Sequence, residues 1–324
     1  MCTAVTMLSE NFYFGRNLDY EHTFGEAVTI TPRNFKLSFR HFDDIDNHYA
    51  IIGMAAVSNG YPLYFDATNE KGLSIAGLNF PEFAFYKTFE EGRYNIAPYE
   101  FIPWILSQCT NIIEVRELLK NINIEDVNFS EELQVTPMHW IISDKEASIT
   151  VEPVKEGLMV YDNPVGILTN SPSFDMQMFN LNNYMALSRE NPKNTFLKST
   201  DLKAYSRGMG AMGLPGDLSS MSRFVRACFV REKSSFGLTE EEKITQFFHI
   251  LYSVYQQKGV VDVENGKYEM TNYSSCCNTD KGIYYYTTYG NSAISAVDMH
   301  KENLDGDELK LFPLETKQKI FMQN

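Results

Sequence analysis

A cysteine stands directly behind the initiator methionine, where its position alone raises a chemical possibility. If Met1 is removed, Cys2 carries a thiol and a free α-amine on one residue. The thiol attacks as thiolate and ordinarily titrates near ~8.5, the amine at roughly 7.7–8.0. One residue can then supply both nucleophile and general base. Cys2-Thr3-Ala4-Val5-Thr6-Met7 also reads as a plain strand, and a small residue opening a sheet is the commoner case. Such a nucleophile needs a carboxylate to hold the amine and a guanidinium to favour the thiolate. Arg16 and Asp19 have that chemistry, within Gly15-Arg16-Asn17-Leu18-Asp19. The pentapeptide follows strands Cys2–Met7 and Asn11–Phe14, joined by the hairpin-length Leu8-Ser9-Glu10, so we place it at a strand end close to the N-terminus. In isolation a salt-bridged strand end explains it as well. Acyl transfer also needs donors at the developing oxyanion. Asn79 and Asn170 each close an apolar run, a place where asparagine is ordinarily a turn former.

The usual partner of a cysteine nucleophile is a histidine, and there are six. His22, His41, His48 and His300 lie in polar, turn-like contexts and read as solvated. His139 reads as a satisfied sheet residue, and His249 lies on an amphipathic helix. None pairs locally with a carboxylate and no two have metal-ligand spacing, so no metal and no cofactor are expected. A Cys–His pair meeting only in space stays open, although no cysteine sits in a papain-like motif.

The elements that must position these residues begin as β. Ala27–Thr31 and Phe35–Phe39 alternate, Tyr49–Val57 is a continuous apolar run, and Leu73–Leu78 follows the turn Asn69-Glu70-Lys71-Gly72. Helices are expected over Pro98–Ser107 and from Thr110, a candidate N-cap, with Ile112, Val115, Leu118 and Leu119 on one face. Strands resume at Met138–Ser143, Ser148–Glu152, Gly157–Tyr161 and Ile167–Asn170, and a helix covers Phe174–Ala186. Gly208–Gly216 carries four glycines but no phosphate-binding fingerprint, and reads as an irregular loop. Ser219 or Ser220 then caps a helix holding Arg223, Phe224, Ala227 and Cys228. Thr239-Glu240-Glu241-Glu242 is a capping box opening the clearest helix, with Ile244, Phe247, Phe248, Leu251, Val254 and Tyr255 at helical spacing. Tyr268–Ser275, Gly282–Thr288 and Ala293–Met299 return to β. This block order, without a βαβ repeat, predicts an α+β fold of two antiparallel sheets with helices outside them.

Composition narrows the partners. The formal charge of −14, from 28 Lys+Arg against 42 Asp+Glu, argues against nucleic acid and against a polybasic membrane surface. Aromatics at 14% suit sheet packing, and would also suit a wide apolar pocket. Five cysteines without even pairing or CxxC spacing, Cys276-Cys277 among them, read as buried free thiols in a reducing cytoplasm. No leader and no apolar run of about 18 residues is seen, so neither signal peptide nor membrane anchor is expected. With no linker or composition shift, residues 1–324 read as one domain.

Met1-Cys2-Thr3-Ala4 together with Phe14-Gly15-Arg16-Asn17-Leu18-Asp19 resembles the choloylglycine hydrolase family, in particular its bacterial bile salt hydrolases. Three further blocks agree, in family order over nearly the whole chain. They are Asn69–Leu73 through Ala76-Gly77-Leu78-Asn79-Phe80-Pro81, Gly166–Pro172, and Gly213–Asp217 through Ser222-Arg223-Phe224. The resemblance implies the N-terminal nucleophile hydrolase fold, a four-layer αββα sandwich. It implies that Cys2 is the nucleophile and its amine the base, once Met1 is gone. Arg16 and Asp19 would organise Cys2, Asn79 and Asn170 would place and stabilise the amide oxygen, and Arg223 would support them. The implied reaction is hydrolysis of glycine- or taurine-conjugated bile salts through a thioester. Leu18, Tyr20, Phe65, Phe129 and Leu133 are the implied pocket positions. Relatives preferring penicillin V as a rule carry an aromatic where Asn79 stands, so Asn79 favours bile salts. The alternatives are a penicillin V acylase, a hydrolase of other N-acyl amides such as N-acyl homoserine lactones, and a non-enzymatic binder of apolar ligands. The resemblance also implies a homotetramer.

Overall fold

The computed structural model describes residues 1–263 and 265–324. In chain order the strands are β1 (Cys2–Leu8), β2 (Phe12–Tyr20), β3 (Ala27–Thr31), β4 (Ile51–Ser58), β5 (Tyr61–Asn69), β6 (Ser74–Asn79), β7 (Tyr94–Ile96) and β8 (Ile122–Ile124). They continue as β9 (Met138–Ser143), β10 (Ser148–Val154), β11 (Gly157–Asp162), β12 (Ile167–Leu168), β13 (Val261–Val263), β14 (Lys267–Asn278), β15 (Ile283–Thr288), β16 (Asn291–Asp298) and β17 (Lys310–Pro313). The helices are α1 (Phe101–Leu106), α2 (Ile112–Leu119), α3 (Phe174–Asn180), α4 (Ser220–Lys233) and α5 (Glu240–Tyr252).

Two antiparallel sheets carry the fold. One runs β12-β1-β2-β14-β15-β16 with β13 beside β14, the other β11-β10-β9-β6-β5-β4-β3-β17. Helices α4 and α5 pack outside the first sheet, against β1, and α1 lies outside the second, against β5 and β6. One apolar cluster joins both sheets to α4 and α5 through Leu18, Ile52, Leu78, Phe224 and Phe247. A second lies beneath α1 and α2, around Phe101, Ile105, Val115 and Trp140. These are the layers of an αββα sandwich.

The hairpin that matters most is longer than its sequence suggests. β2 does not stop at Phe14 but runs to Tyr20, so Arg16 and Asp19 are interior to a strand and not at its end. Its register on β1 pairs Cys2 with Leu18 and Ala4 with Arg16. Successive side chains point to opposite faces of a sheet. Arg16, Leu18 and Tyr20 accordingly face the second sheet, where all three line one cleft. Asn17 and Asp19 face the helices, Asn17 donating to the Leu251 carbonyl of α5 at 2.9 Å and Asp19 approaching Arg223 of α4. Polar side chains inside the strand thus reflect two different buried partners.

Other expectations need correction. Phe35–Phe39 forms no strand, only an isolated bridge between Leu37 and Ile45, because no neighbouring strand offers it a ladder. The cap of α2 is Asn111, whose side chain accepts from the Glu114 N–H, while Thr110 instead donates its hydroxyl to Glu114. His48 is buried, its ring nitrogens on the Tyr49 and Phe35 carbonyls at 2.7 and 2.8 Å, and is not a solvated side chain. α3 ends at Asn180 and continues as a 3₁₀ turn over Leu181–Tyr184. β5 and β17 carry no strong alternation and were not foreseen. The capping box of α5 is present in full, and the five cysteines are free.

Candidate active site

Cys2 opens β1, 4% exposed, and its backbone nitrogen donates to Asn170 Oδ1 at 2.7 Å. Asn170 lies just past β12, the strand on the far side of β1. Its amide is oriented from three sides: Oδ1 also accepts from Arg223 Nη2 at 2.7 Å, and Nδ2 donates to the Asn79 carbonyl at 2.7 Å. The Ser220 hydroxyl, the first residue of α4, takes the Asn170 N–H at 2.9 Å. Ser220 therefore ties the helix to the Asn170 loop, and does not cap it by its side chain.

Arg223 is fully buried and reaches across the end of β1. It donates to the Cys2 carbonyl at 2.5 Å, the Thr3 hydroxyl at 2.6 Å and the Leu218 carbonyl at 3.0 Å. Asp19 Oδ2 lies 4.0 Å from Arg223 Nη1, and Asp19 Oδ1 accepts from the Thr271 hydroxyl at 2.6 Å. Burial pushes the Asp19 carboxyl above the ordinary carboxylate range, opposed first by Arg223 and then by the N-terminal ammonium. Burial likewise lowers Arg223, opposed by Asp19 and Cys2. Met1 extends the ladder by one residue: its carbonyl accepts from the Asp19 N–H at 2.9 Å and its ammonium donates to the Asp19 carbonyl at 2.8 Å and pairs with Glu269. That ammonium is lowered chiefly by burial, against the charges of Cys2 and Asp19.

Arg16 enters from the opposite face. Its Nη1 donates to the carbonyls of Phe65 at 3.0 Å and Gly77 at 2.5 Å, while Nη2 is buried without a hydrogen-bond partner among the described residues. Burial pulls its pKa down, and the negative charges of Cys2, Tyr273, Asp66 and Asp19 more than offset this, leaving it above its usual value. Asn79 ends β6 with its Oδ1 buried and without a partner among the described residues. Cys2, Arg16 and Asn79 open together onto a cleft of about 420 Å³. The volume falls in the roughly 300–1,000 Å³ range of small-ligand sites.

Leu18, Tyr20, Phe65, Phe129 and Leu133 all line this cleft. Its wall is mostly apolar, and Arg16 carries the one charge among the described residues that line it. Phe129 is held on the rim by Tyr61 and Tyr99, with ring centroids 5.9 and 5.1 Å away. The geometry thus gathers the five other proposed catalytic positions around Cys2 and puts all five proposed pocket positions in one cavity. Sequence reasoning gave no role to Thr271, Glu269 or Asp66 and read Ser220 only as a possible helix cap; their partners lie on elements far apart in the chain, which only the tertiary fold brings together. It did read His139 as satisfied. The ring is buried between Glu152, 3.0 Å away, and the Thr169 carbonyl at 2.9 Å, with the Phe80 ring stacked on it.

A family model for linear amide C–N hydrolases of the choloylglycine hydrolase family matches residues 2–312. The chain belongs to that family. It is 55% identical over 324 residues, with full coverage of both chains, to a bile salt hydrolase/transferase of Lactiplantibacillus plantarum. It is 41% identical over 317 residues to a bile salt hydrolase/transferase of Clostridium perfringens, covering 96% of each chain. Among solved structures, a mutant conjugated bile acid hydrolase from Clostridium perfringens superposes with a TM-score of 0.93 at 40% identity, covering 100% of both chains. A penicillin V acylase of Agrobacterium tumefaciens, at 19% identity and TM-score 0.77 over 97% of this chain and 92% of its own, shares the fold. The sandwich is that of the N-terminal nucleophile hydrolases. No helix among the described residues is long and apolar enough to cross a membrane.

Proposed function

We propose that this chain hydrolyses the amide bond of glycine- or taurine-conjugated bile salts through a thioester on Cys2, with the Cys2 α-amine as general base. The observation that carries the reading is the hydrogen bond of the Cys2 nitrogen to Asn170 Oδ1 beside a buried Arg223–Asp19 pair, at the mouth of an apolar cleft. The relatives named for bile salts support the substrate. Removal of Met1 frees the amine. The amine takes the thiol proton as sulfur attacks the amide carbon, with the oxyanion held by Asn79 and a backbone N–H. The same proton passes to the leaving nitrogen, glycine or taurine departs, and water then cleaves the thioester to bile acid and thiol. Asp19 holds the ammonium, Arg16 favours the thiolate, and Arg223 fixes Asn170. The steroid lies against Leu18, Tyr20, Phe65, Phe129 and Leu133, by apolar burial rather than long-range charge, so added salt weakens binding little. We read residues 1–324 as one domain acting in the cytoplasm, as a homotetramer.

The test incubates the mature protein with glycocholate, taurocholate and penicillin V and measures released amine, beside a Cys2→Ala variant and a form retaining Met1. Release from both conjugates, absent in both altered forms, is the expected result. Full activity with Met1 in place overturns the mechanism. Faster turnover of penicillin V overturns the substrate, in favour of an acylase. A Cys2 no more reactive than a free thiol and no amide cleaved turns the reading to an apolar-ligand binder.

A further inference from the structure

A second buried carboxylate lies beneath the site, one that the proposed mechanism does not use. Asp66 stands on β5, 1% exposed, in the layer between the two sheets. Its Oδ1 accepts from the Tyr273 hydroxyl at 2.7 Å, and its Oδ2 from the Tyr284 hydroxyl at 2.6 Å and the Ser275 hydroxyl at 3.1 Å. All three donors belong to the other sheet, on β14 and β15. A carboxylate buried this deeply costs much free energy unless it is hydrogen-bonded and faces a cation. Three hydroxyls supply the hydrogen bonds, and the charge of Arg16, which forms no ion pair with Asp66 within 4.0 Å among the described residues, opposes the upward push of burial from further off.

Asp66 also sets where Arg16 lies. The carbonyl of the preceding residue, Phe65, receives Arg16 Nη1, and the second acceptor, Gly77, follows the register partner of Asp66, Ala76. The Ser275 hydroxyl that donates to Asp66 accepts from the Arg16 backbone N–H at 3.2 Å. The three hydroxyls thus pin the β5 segment that aims the guanidinium, leaving Nη2 without a hydrogen-bond partner among the described residues. We propose that Asp66 is the positioning residue of Arg16, fixing from the opposite sheet how strongly the guanidinium acts on Cys2.

The inference rests on the reading of Cys2 as nucleophile and of Arg16 as its guanidinium. The charged and titratable groups facing Cys2 and Asp66 are Arg16, Asp19 and Tyr20 on β2, Arg223 on α4, Glu269, Tyr273 and Cys277 on β14, Tyr284 on β15, and the N-terminal amine. Asp66→Asn deletes one negative charge from this set and turns one of the two accepting oxygens into a donor, so the hydroxyls lose part of their hold on the β5 segment. With the guanidinium less compensated, the thiolate becomes easier to form.

The experiment measures the pH midpoint of Cys2 alkylation by iodoacetamide in the mature protein, which needs no substrate, and then kcat and KM. We expect Asp66→Asn to move the alkylation midpoint down by about half a unit to one unit, less than for a charge in direct contact. We expect kcat to fall about 10- to 100-fold through misplacement of Arg16, with KM little changed. Tyr284→Phe and Tyr273→Phe keep the charge and loosen the segment, so each lowers kcat at an unmoved midpoint. These two variants carry the test if Asp66→Asn does not fold. A lower melting temperature with midpoint and kcat unmoved, or an upward shift of the midpoint, overturns the proposal. Normal turnover of a different amide leaves it standing and overturns only the substrate, whereas an unreactive wild-type Cys2 overturns the reading beneath it.

Discussion

Replacing Arg223 by methionine keeps most of the side chain's volume and removes a charge together with its donated bonds. In the wild type the guanidinium is fully buried and donates to Cys2, Thr3, Asn170 and Leu218. Its anion, Asp19 Oδ2, has no other partner among the described residues and is as deeply buried. Burial drives Asp19 up and Arg223 down, each toward its neutral form, so desolvation is the leading effect on both. Such a pair adds little as a unit, yet removing one member strands the other, at about 3–5 kcal/mol. Arg223→Met should therefore lose that much stability near neutral pH, a fall of roughly a hundred- to a few-thousand-fold in the ratio of folded to unfolded chains. The sign of the pH dependence follows from Asp19. Its folded pKa is already raised, and without Arg223 it rises further. A raised group contributes stability that is present below its unfolded pKa and lost as pH climbs through the folded value. The deficit of Arg223→Met should thus be smaller at about pH 4.5 than at about pH 7.5. Urea unfolding at both pH values, followed by the fluorescence of the buried Trp104 and Trp140, measures it. Arg223→Lys keeps the charge but not the fork, and should recover part of the stability with kcat still depressed. A Met variant within about 1 kcal/mol of wild type at pH 7.5, or an equal deficit at both pH values, would refute the stranded-charge reasoning.

Three further perturbations follow from the same geometry. Burial raises the Glu70 carboxyl, but the paired bonds from Arg33 and the Ala50 N–H outweigh it and leave it below its usual value. Its contribution is present above the unfolded pKa of about 4.3 and lost as pH falls through the lower folded value, so Glu70→Gln should flatten acid denaturation in that window. A Cβ on Gly15 would stand 1.9 Å from the Ser275 carbonyl oxygen, where β2 meets β14. Gly15→Ala should cost about 3 kcal/mol or more in thermal unfolding, because backbone rather than a flexible side chain must give way. Phe65→Ala removes an apolar face of the cleft but leaves the carbonyl that holds Arg16. It should raise KM for glycocholate about tenfold with kcat nearly unchanged, and a collapse of kcat instead would show that the ring itself orients the site.

The elements most legible in the sequence were those whose signal is local. The Thr239–Glu242 capping box and the apolar face behind it mark α5 because both patterns repeat within one helical turn. The unbroken run into Ile51–Ala55 reads as a strand because both of its faces are covered. Phe35–Phe39 misled for the complementary reason: alternation shows what a strand needs, not whether a partner is present. β5 was invisible because its polar Asp66 is satisfied only by side chains of the other sheet, and its Thr68 by Ser74 across the next hairpin.

The sequence by itself determined the chemistry on offer: a thiol one residue from the start of the chain, a guanidinium and a carboxylate one hairpin later, and blocks in the order of a known family. Which side of β2 each residue serves was decided by tertiary structure. The strand's two-residue period sends Arg16, Leu18 and Tyr20 into the cleft and Asp19 toward α4, and only the pairing of Cys2 with Leu18 sets that phase. The network around Asp66 lies wholly on that side of the division. Its donors are over two hundred residues away in the chain, and a carboxylate can stay buried there only because another sheet brings three hydroxyls and a guanidinium to it.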